Sequence, residues 1–396
     1  MKSEPRRMRE QRWLIEKAVA AAGVDFSWPI SRLVLGATCQ DIHPDIMMSM
    51  QRMNKFADIS REFAGVGAKC ESVARKAEEG GYEVTAREYF FSAANLYGAA
   101  QWPIWEDDND ELMELSRKKN ECYDKYIEYA DHPIERVEIP FEGKSLPGYL
   151  HLPSRDAENV PCMLFFDGMD AWKEYFCELY GDRHLQRGRA ILAVDGPGQA
   201  ESSIRKIKVT SDNFPKAGTA AVDFLVERPE IDSERIAIQG VSFGTFWIPQ
   251  VLAKEHRLKC GAIAKVCHEP GMNTIFNEAS PTYKARHMWM AGYQDEKAFD
   301  KYAQSLTLEG VGSEITAPII ILAGEDDDLS PIEHTYRFYN EIKVPKTLVV
   351  FKGQKHSMQG PKVFTRMADW VTDRLNGVPL KSEIILVDIT GKETKI

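Results

Sequence analysis

Six short apolar runs recur through the later part of this 396-residue chain, at residues 162–166, 190–194, 235–239, 261–266, 319–323 and 347–351. Each is too short for a buried helix. Mostly apolar character without strict alternation suits a strand covered on both faces. Helical stretches separate the runs, and strands alternating with helices predict a mostly parallel sheet flanked by helices. Ahead of the first run, Val137, Ile139 and Phe141 alternate with polar residues, Gly143-Lys144 turns the chain, and Leu146, Tyr149, Leu150 and Leu152 continue it. That pattern predicts an antiparallel hairpin. Ligands on such sheets bind at the carboxyl ends of the strands, so the residues after each run are where chemistry is expected.

Before residue 132 the pattern is helical. Thr85-Ala-Arg-Glu88 reads as a capping box, followed by Tyr89, Phe90, Ala93, Ala94 and Tyr97 at helical spacing. Trp102-Pro103 should stop that helix, and residues 110–130 predict another. The chain divides accordingly into residues 1–132, a helical cap or lid carrying part of a pocket, and residues 133–396, a sheet domain. Within the second part, residues 271–310 are a candidate pocket-lining excursion. A plainer reading of the first part is a helical bundle that only packs.

Composition removes several classes of function. Net charge is −10, the opposite of the basic surface that nucleic-acid binding requires. No apolar run reaches the ~18–20 residues that span a bilayer. The N-terminus, Met-Lys-Ser-Glu-Pro-Arg-Arg, is basic like a signal peptide, but no apolar segment follows it. The seven cysteines, Cys39, Cys70, Cys122, Cys162, Cys177, Cys260 and Cys267, are scattered and read as free thiols in a reducing cytoplasm. No clustered soft ligands suggest zinc, and His43 between Asp41 and Asp45 reads as a helix-cap loop rather than a metal site.

The run at 235–239 leads into Gly240-Val241-Ser242-Phe243-Gly244, a G-x-S-x-G between strand and helix. In that context the serine sits on a tight turn that lifts its hydroxyl out of the sheet, at the start of a helix. A serine nucleophile needs a histidine base, and the histidine needs a carboxylate to fix its tautomer. Both follow in the expected order. The run at 319–323 leads into Gly324-Glu-Asp-Asp-Asp-Leu-Ser-Pro331, where Asp327 is the acid and Asp326 the alternative. The run at 347–351 leads into Lys352-Gly-Gln-Lys-His-Ser-Met358, which supplies His356. Oxyanion donors are expected from the N–H of Phe243 and from the loop after residue 166, with Met169 first and Gly168 as alternative.

Three segments carry a resemblance: Phe166-Asp-Gly-Met-Asp-Ala-Trp-Lys-Glu174, Val194-Asp-Gly-Pro-Gly-Gln-Ala-Glu201 and the serine turn. Over about residues 80–380 the chain resembles an α/β-hydrolase group with an N-terminal helical cap. That group includes 2,6-dihydroxypseudooxynicotine hydrolase of bacterial nicotine breakdown and the fungal polyketide-shortening hydrolases of melanin synthesis. The resemblance implies an α/β-hydrolase fold, a Ser-Asp-His hydrolase without metal or organic cofactor, cleavage of a C–C bond beside a ketone, and often a homodimer. It also implies a role beside the triad for Glu278, otherwise an ordinary loop carboxylate. An aromatic or polyketide-like small molecule is the implied substrate, and Trp102, Trp172, Tyr283 and Trp289 are its candidate binding residues, with Trp105 and Met288 also in the candidate lining. An esterase, lactonase or amidase with the same triad is the alternative reaction, and a ligand-binding protein on this fold the alternative class. Three residues depart from the group: Ala200 where Gly is usual, Thr245 where a second Gly follows the serine turn, and Asp167 where Gly is common.

Overall fold

The computed structural model describes Gly36 and residues 38–175, 182–358 and 362–396. The basic N-terminal stretch and Cys177 lie outside the described residues. The first part of the chain forms α1 (His43–Arg52), α2 (Asp58–Glu79), α3 (Glu83–Ala100) and α4 (Asp110–Tyr129). Asn109 caps α4, its Oδ1 accepting from the Leu112 N–H at 3.0 Å, with Asp110 and Glu111 complementing the helix dipole. The capping box at Thr85 is not used. Helix α3 begins two residues earlier, the Ala86 N–H donates to the Tyr82 carbonyl at 2.9 Å, and Thr85 falls inside the first turn. The helix ends at Ala100, just before Trp102-Pro103.

The hairpin is β1 (Ile134–Phe141) and β2 (Lys144–His151), paired antiparallel. The six apolar runs become β3 (Val160–Phe165), β4 (Ala190–Val194), β5 (Ile231–Val241), β6 (Cys260–Ala264), β7 (Ile319–Gly324) and β8 (Lys346–Phe351). Two strands outside those six runs extend the sheet, β9 (Glu383–Val387) and β10 (Glu393–Lys395). Among the helices of this half are α5 (Asn213–Val226), α6 (Gly244–Leu252), α7 (Pro281–Met290), α8 (Ile332–Glu341) and α9 (Val363–Leu375).

The sheet runs β1-β2-β4-β3-β5-β6-β7-β8-β9-β10, parallel from β4 to β9. From β3 the chain goes to β4 on one side and then returns to β5 on the other. The carboxyl ends of β3 and β5 therefore flank the point where strand order reverses, the place where such sheets open a crevice. This is an α/β-hydrolase fold.

Two apolar clusters fill the two faces. One contains Phe63, Phe90, Tyr97 and Tyr123 of the N-terminal helices together with Tyr149, Met163, Ala193 and Met367. The other contains Leu164, Ile238, Phe214, Trp247 and Val251. Secondary structure changes near residue 132, between Tyr129 and Ile134, but the core runs across that point. No described helix is long and apolar enough to cross a membrane. The six described cysteines are free thiols, five of them buried, and no described cluster of His, Cys, Asp or Glu could hold a metal ion.

Candidate active site

Ser242 sits between β5 and α6 at φ +55°, a left-handed conformation that L-residues adopt at a cost of about 1–3 kcal/mol. The neighbouring glycines make room for it. A Cβ on Gly240 would lie 2.9 Å from the Phe166 carbonyl oxygen, and one on Gly244 would lie 2.7 Å from the same atom. Thr245, a departure from the resembled group, has a role in this turn. Its hydroxyl donates to the Ser242 carbonyl at 2.7 Å and accepts from the Cys267 N–H at 2.7 Å, tying the turn to the loop after β6.

The loops after β7 and β8 bring Asp327 and His356 to this serine. His356 Nδ1 is 2.9 Å and 3.1 Å from the two Asp327 carboxylate oxygens, so Nδ1 carries the proton. Nε2 is then free to accept from the Ser242 hydroxyl, 3.0 Å away. The Asp327 side chain is fully buried, and its Oδ1 also accepts from the Leu329 and Ser330 N–H groups. The alternative, Asp326, is exposed. Asp328, also exposed, meets His356 only through the backbone N–H, which donates to its Oδ1 at 3.4 Å.

The loop after β3 crosses this turn. A Cβ on Gly168 would lie 3.0 Å from Ser242 Cβ, tighter than an ordinary contact, so glycine eases this close crossing. Gln199 holds the loop. Its Nε2 donates to the carbonyls of Asp167 and Gly168, both at 2.7 Å, while its Oε1 accepts from the Gly196 N–H. Those carbonyls are thereby fixed toward Gln199. Of the expected oxyanion donors, the N–H groups of Phe243 and Met169 reach no acceptor among the described residues. Gly168 has to be withdrawn, because its N–H donates to Asp167 Oδ1 at 2.7 Å.

Asp167 itself is buried, with the Tyr175 hydroxyl 3.4 Å from Oδ2. Burial pushes its carboxyl up to about 7, against the Gly168 hydrogen bond that works the other way. Between about pH 4 and 7 the folded chain keeps a proton that the unfolded chain has released, so this group's contribution to stability falls as pH rises and is lost above 7. Asp167→Asn should remove that dependence. Relative to the unsubstituted protein, its unfolding free energy from urea titrations should rise by roughly 2–4 kcal/mol between pH 4 and pH 8. A constant difference across that range would show that Asp167 is ionised throughout.

Beneath the loop lies a buried charge network. Lys173 Nζ, fully buried, contacts Glu174 Oε1 at 2.9 Å, Asp195 Oδ2 at 3.2 Å and Glu201 Oε2 at 2.7 Å. Lys119 of α4 donates to the same Glu174 oxygen. Arg136 adds a contact to Glu201 at 2.9 Å. Three carboxylates around one ammonium hold the Lys173 pKa well above its usual value despite burial, and Lys173 and Lys119 hold the Glu201 carboxyl well below its own. Asp195 and Glu201 bracket the turn that presents Gln199, so the network braces the loop over the serine.

A narrow cleft lies between the N-terminal helices and the sheet half. Trp102, Trp172 and Trp289, three of the candidate substrate-binding residues, line it with Leu112 and Arg286. It meets the loop after β3 at Asp170 and Ala171. Trp172 Nε1 donates to Asn95 of α3 at 3.1 Å, and Trp289 Nε1 donates to Asp107 at 2.8 Å. Tyr283 is half-buried, within electrostatic reach of Asp170, Asp328 and Cys267, and burial raises its phenol pKa. Glu278 does not line this pocket. It ends the π-helical turn Thr274–Glu278, is exposed, and accepts from Asn273 Nδ2 at 2.7 Å. Sequence reasoning missed Gln199, Arg286 and the Lys119–Lys173 network. Gln199 had a signal, its place in Asp195-Gly-Pro-Gly-Gln199, and Lys173, Glu174 and Glu201 fall in the segments that carry the resemblance, whereas Arg286 and Lys119 had none.

Comparisons with known proteins agree with this architecture. In the curated sequences, the α/β hydrolase xenA of Xenoacremonium sinensis is 31% identical over 190 residues, covering 45% of this chain and 44% of the relative. The α/β hydrolase gkaG of Penicillium citrinum is 30% identical over 209 residues, covering 50% and 48%. The chain thus spans about half the length of the curated relatives it matches. Among solved structures, 2,6-dihydroxy-pseudo-oxynicotine hydrolase superposes with a TM-score of 0.74 at 24% identity, covering 89% of this chain and 97% of that one. The family description "Esterase FrsA-like" matches residues 62–376, from α2 through the loops of Ser242, Asp327 and His356 to the end of α9, and the chain belongs to this FrsA-like esterase family.

Proposed function

We propose that this chain is a serine hydrolase whose nucleophile is Ser242, whose base is His356 and whose orienting acid is Asp327. The observation that carries the reading is the continuous relay of 3.0 Å from serine to imidazole and 2.9 Å from imidazole to a buried carboxylate. His356 takes the hydroxyl proton as Ser242 Oγ attacks a carbonyl carbon. The oxyanion is received by the N–H groups of Phe243 and Met169. Collapse of the tetrahedral intermediate breaks the bond to the leaving group, which takes the proton back from His356. Water, deprotonated by the same imidazole, then frees the acid and restores Ser242.

We propose further that the leaving group is carbon, departing as an enol or a phenol-type ring beside a ketone, from an aromatic or polyketide-like substrate seated against Trp102, Trp172 and Trp289. Pockets of mostly apolar lining with few polar anchors suit such molecules. The neighbouring fold of 2,6-dihydroxy-pseudo-oxynicotine hydrolase is in keeping with this choice. Ester hydrolysis is the second reading, favoured by the family's description. A panel of aryl 1,3-diketones and matched aryl esters separates the two. The expected result is release of a carboxylic acid and a methyl ketone from the diketones. Turnover confined to the esters would end the carbon–carbon reading and leave the triad standing. Labelling of Ser242 by a fluorophosphonate is expected in either case, and its absence would favour a binding protein.

A further inference from the structure

Arg286 of α7 has an unusual environment for an arginine. It is 6% exposed and lines the tryptophan pocket. Its guanidinium lies over the ring of Trp289 at 4.9 Å and of Trp102 at 5.4 Å. Cation–π contacts of this kind fix the plane and position of the group. The side chain's protein hydrogen bond is a long one, from Nε to the Met169 carbonyl at 3.4 Å. Asp170 and Asp195 are near enough to act on its charge, yet no described carboxylate forms an ion pair with it. Burial brings its pKa down only to about 10, so it is a full cation at neutral pH.

A buried cation without an ion-pair partner is costly, and an anion placed against it would offset that cost. The two terminal nitrogens of Arg286 present a planar fork of donors, matched to two oxygens held in a plane. We propose that Arg286 is the anion anchor of this pocket, and that it receives a planar carboxylate or enolate of an aromatic ligand stacked among Trp102, Trp172 and Trp289. The inference rests on the pocket being the substrate site and adds the charge of the substrate. The Nε contact to Met169 also places the anchor beside the residue whose N–H is the proposed oxyanion donor, so a bound anion and the reacting carbonyl would belong to one molecule.

Binding of 3-phenylpropionate and of its neutral isostere 3-phenylpropionamide to the full-length protein, measured by calorimetry, tests this without any turnover. The acid should bind at least tenfold more tightly than the amide. Arg286→Met should lose at least tenfold in affinity for the acid and far less for the amide, and Arg286→Lys should recover part of the difference. The comparison of the two ligands on the unsubstituted protein stands even where the methionine variant does not fold. Equal affinities, no binding of the acid, or an acid preference that survives Arg286→Met would each overturn the assignment. Because calorimetry reads binding alone, a failure of the carbon–carbon reading leaves this result unaffected.

Discussion

Ser242→Ala is expected to lower kcat on an activated aryl ester by roughly 10⁴–10⁶-fold, with unfolding free energy held or slightly raised. The size of the loss follows from geometry. With Oγ gone, His356 has no proton to take and no acyl-enzyme can form, while the Phe243 and Met169 N–H groups remain to polarise a carbonyl for slow attack by water. Asp327→Asn should fall in the range of about 10³–10⁴-fold, because an amide facing Nδ1 favours the wrong imidazole tautomer. Asp326→Asn should stay near the parent rate, its carboxylate being exposed. These functional groups act as one unit, so Ser242→Ala combined with Asp327→Asn should be no slower than Ser242→Ala alone. Additive losses, or an intact rate in Ser242→Ala, would remove the proposed mechanism.

The second large effect concerns stability. Lys173→Met leaves Asp195, Glu174 and Glu201 buried around an apolar side chain, and breaking a buried ion network from one side costs about 3–5 kcal/mol. Equilibrium urea unfolding should register that loss. Activity should drop as well at temperatures where the variant is folded, since Asp195 and Glu201 bracket the turn that carries Gln199 to the loop over the serine. A change below about 1 kcal/mol would mean that the carboxylates take up protons and dispense with the ammonium.

Much of this was legible in the sequence, and the reasons are particular. The strands β3 to β8 announced themselves because both of their faces are covered over most of their length, which demands mostly apolar residues there. Strand β9 carries the same signal in Ile384-Ile-Leu-Val387, outside the six runs, whereas β10 at the sheet edge is Glu-Thr-Lys, fully exposed, and carries none. The Thr85 capping box misled because α3 starts at Glu83 and is held by packing of Ala86 and Phe90, which outweighs one hydroxyl. Asp327 could be chosen over Asp326 by its place in the loop. Gly168 could not be rejected as an oxyanion donor, since only coordinates reveal that Asp167 turns back onto its N–H. Arg286 was out of reach. Its burial depends on Trp102, which comes from the far side of the β1–β6 chain segment, and no local pattern marks an arginine as enclosed.

The backbone of Ser242, held at φ +55°, sets local robustness against use. Glycine is the residue that this conformation prefers. Selection acting on endurance alone would move position 242 toward glycine and leave a sturdier, inert descendant. A lineage relieved of its reaction should therefore drift first at this residue, which makes the amino acid found there a record of whether a homologue still turns over a substrate.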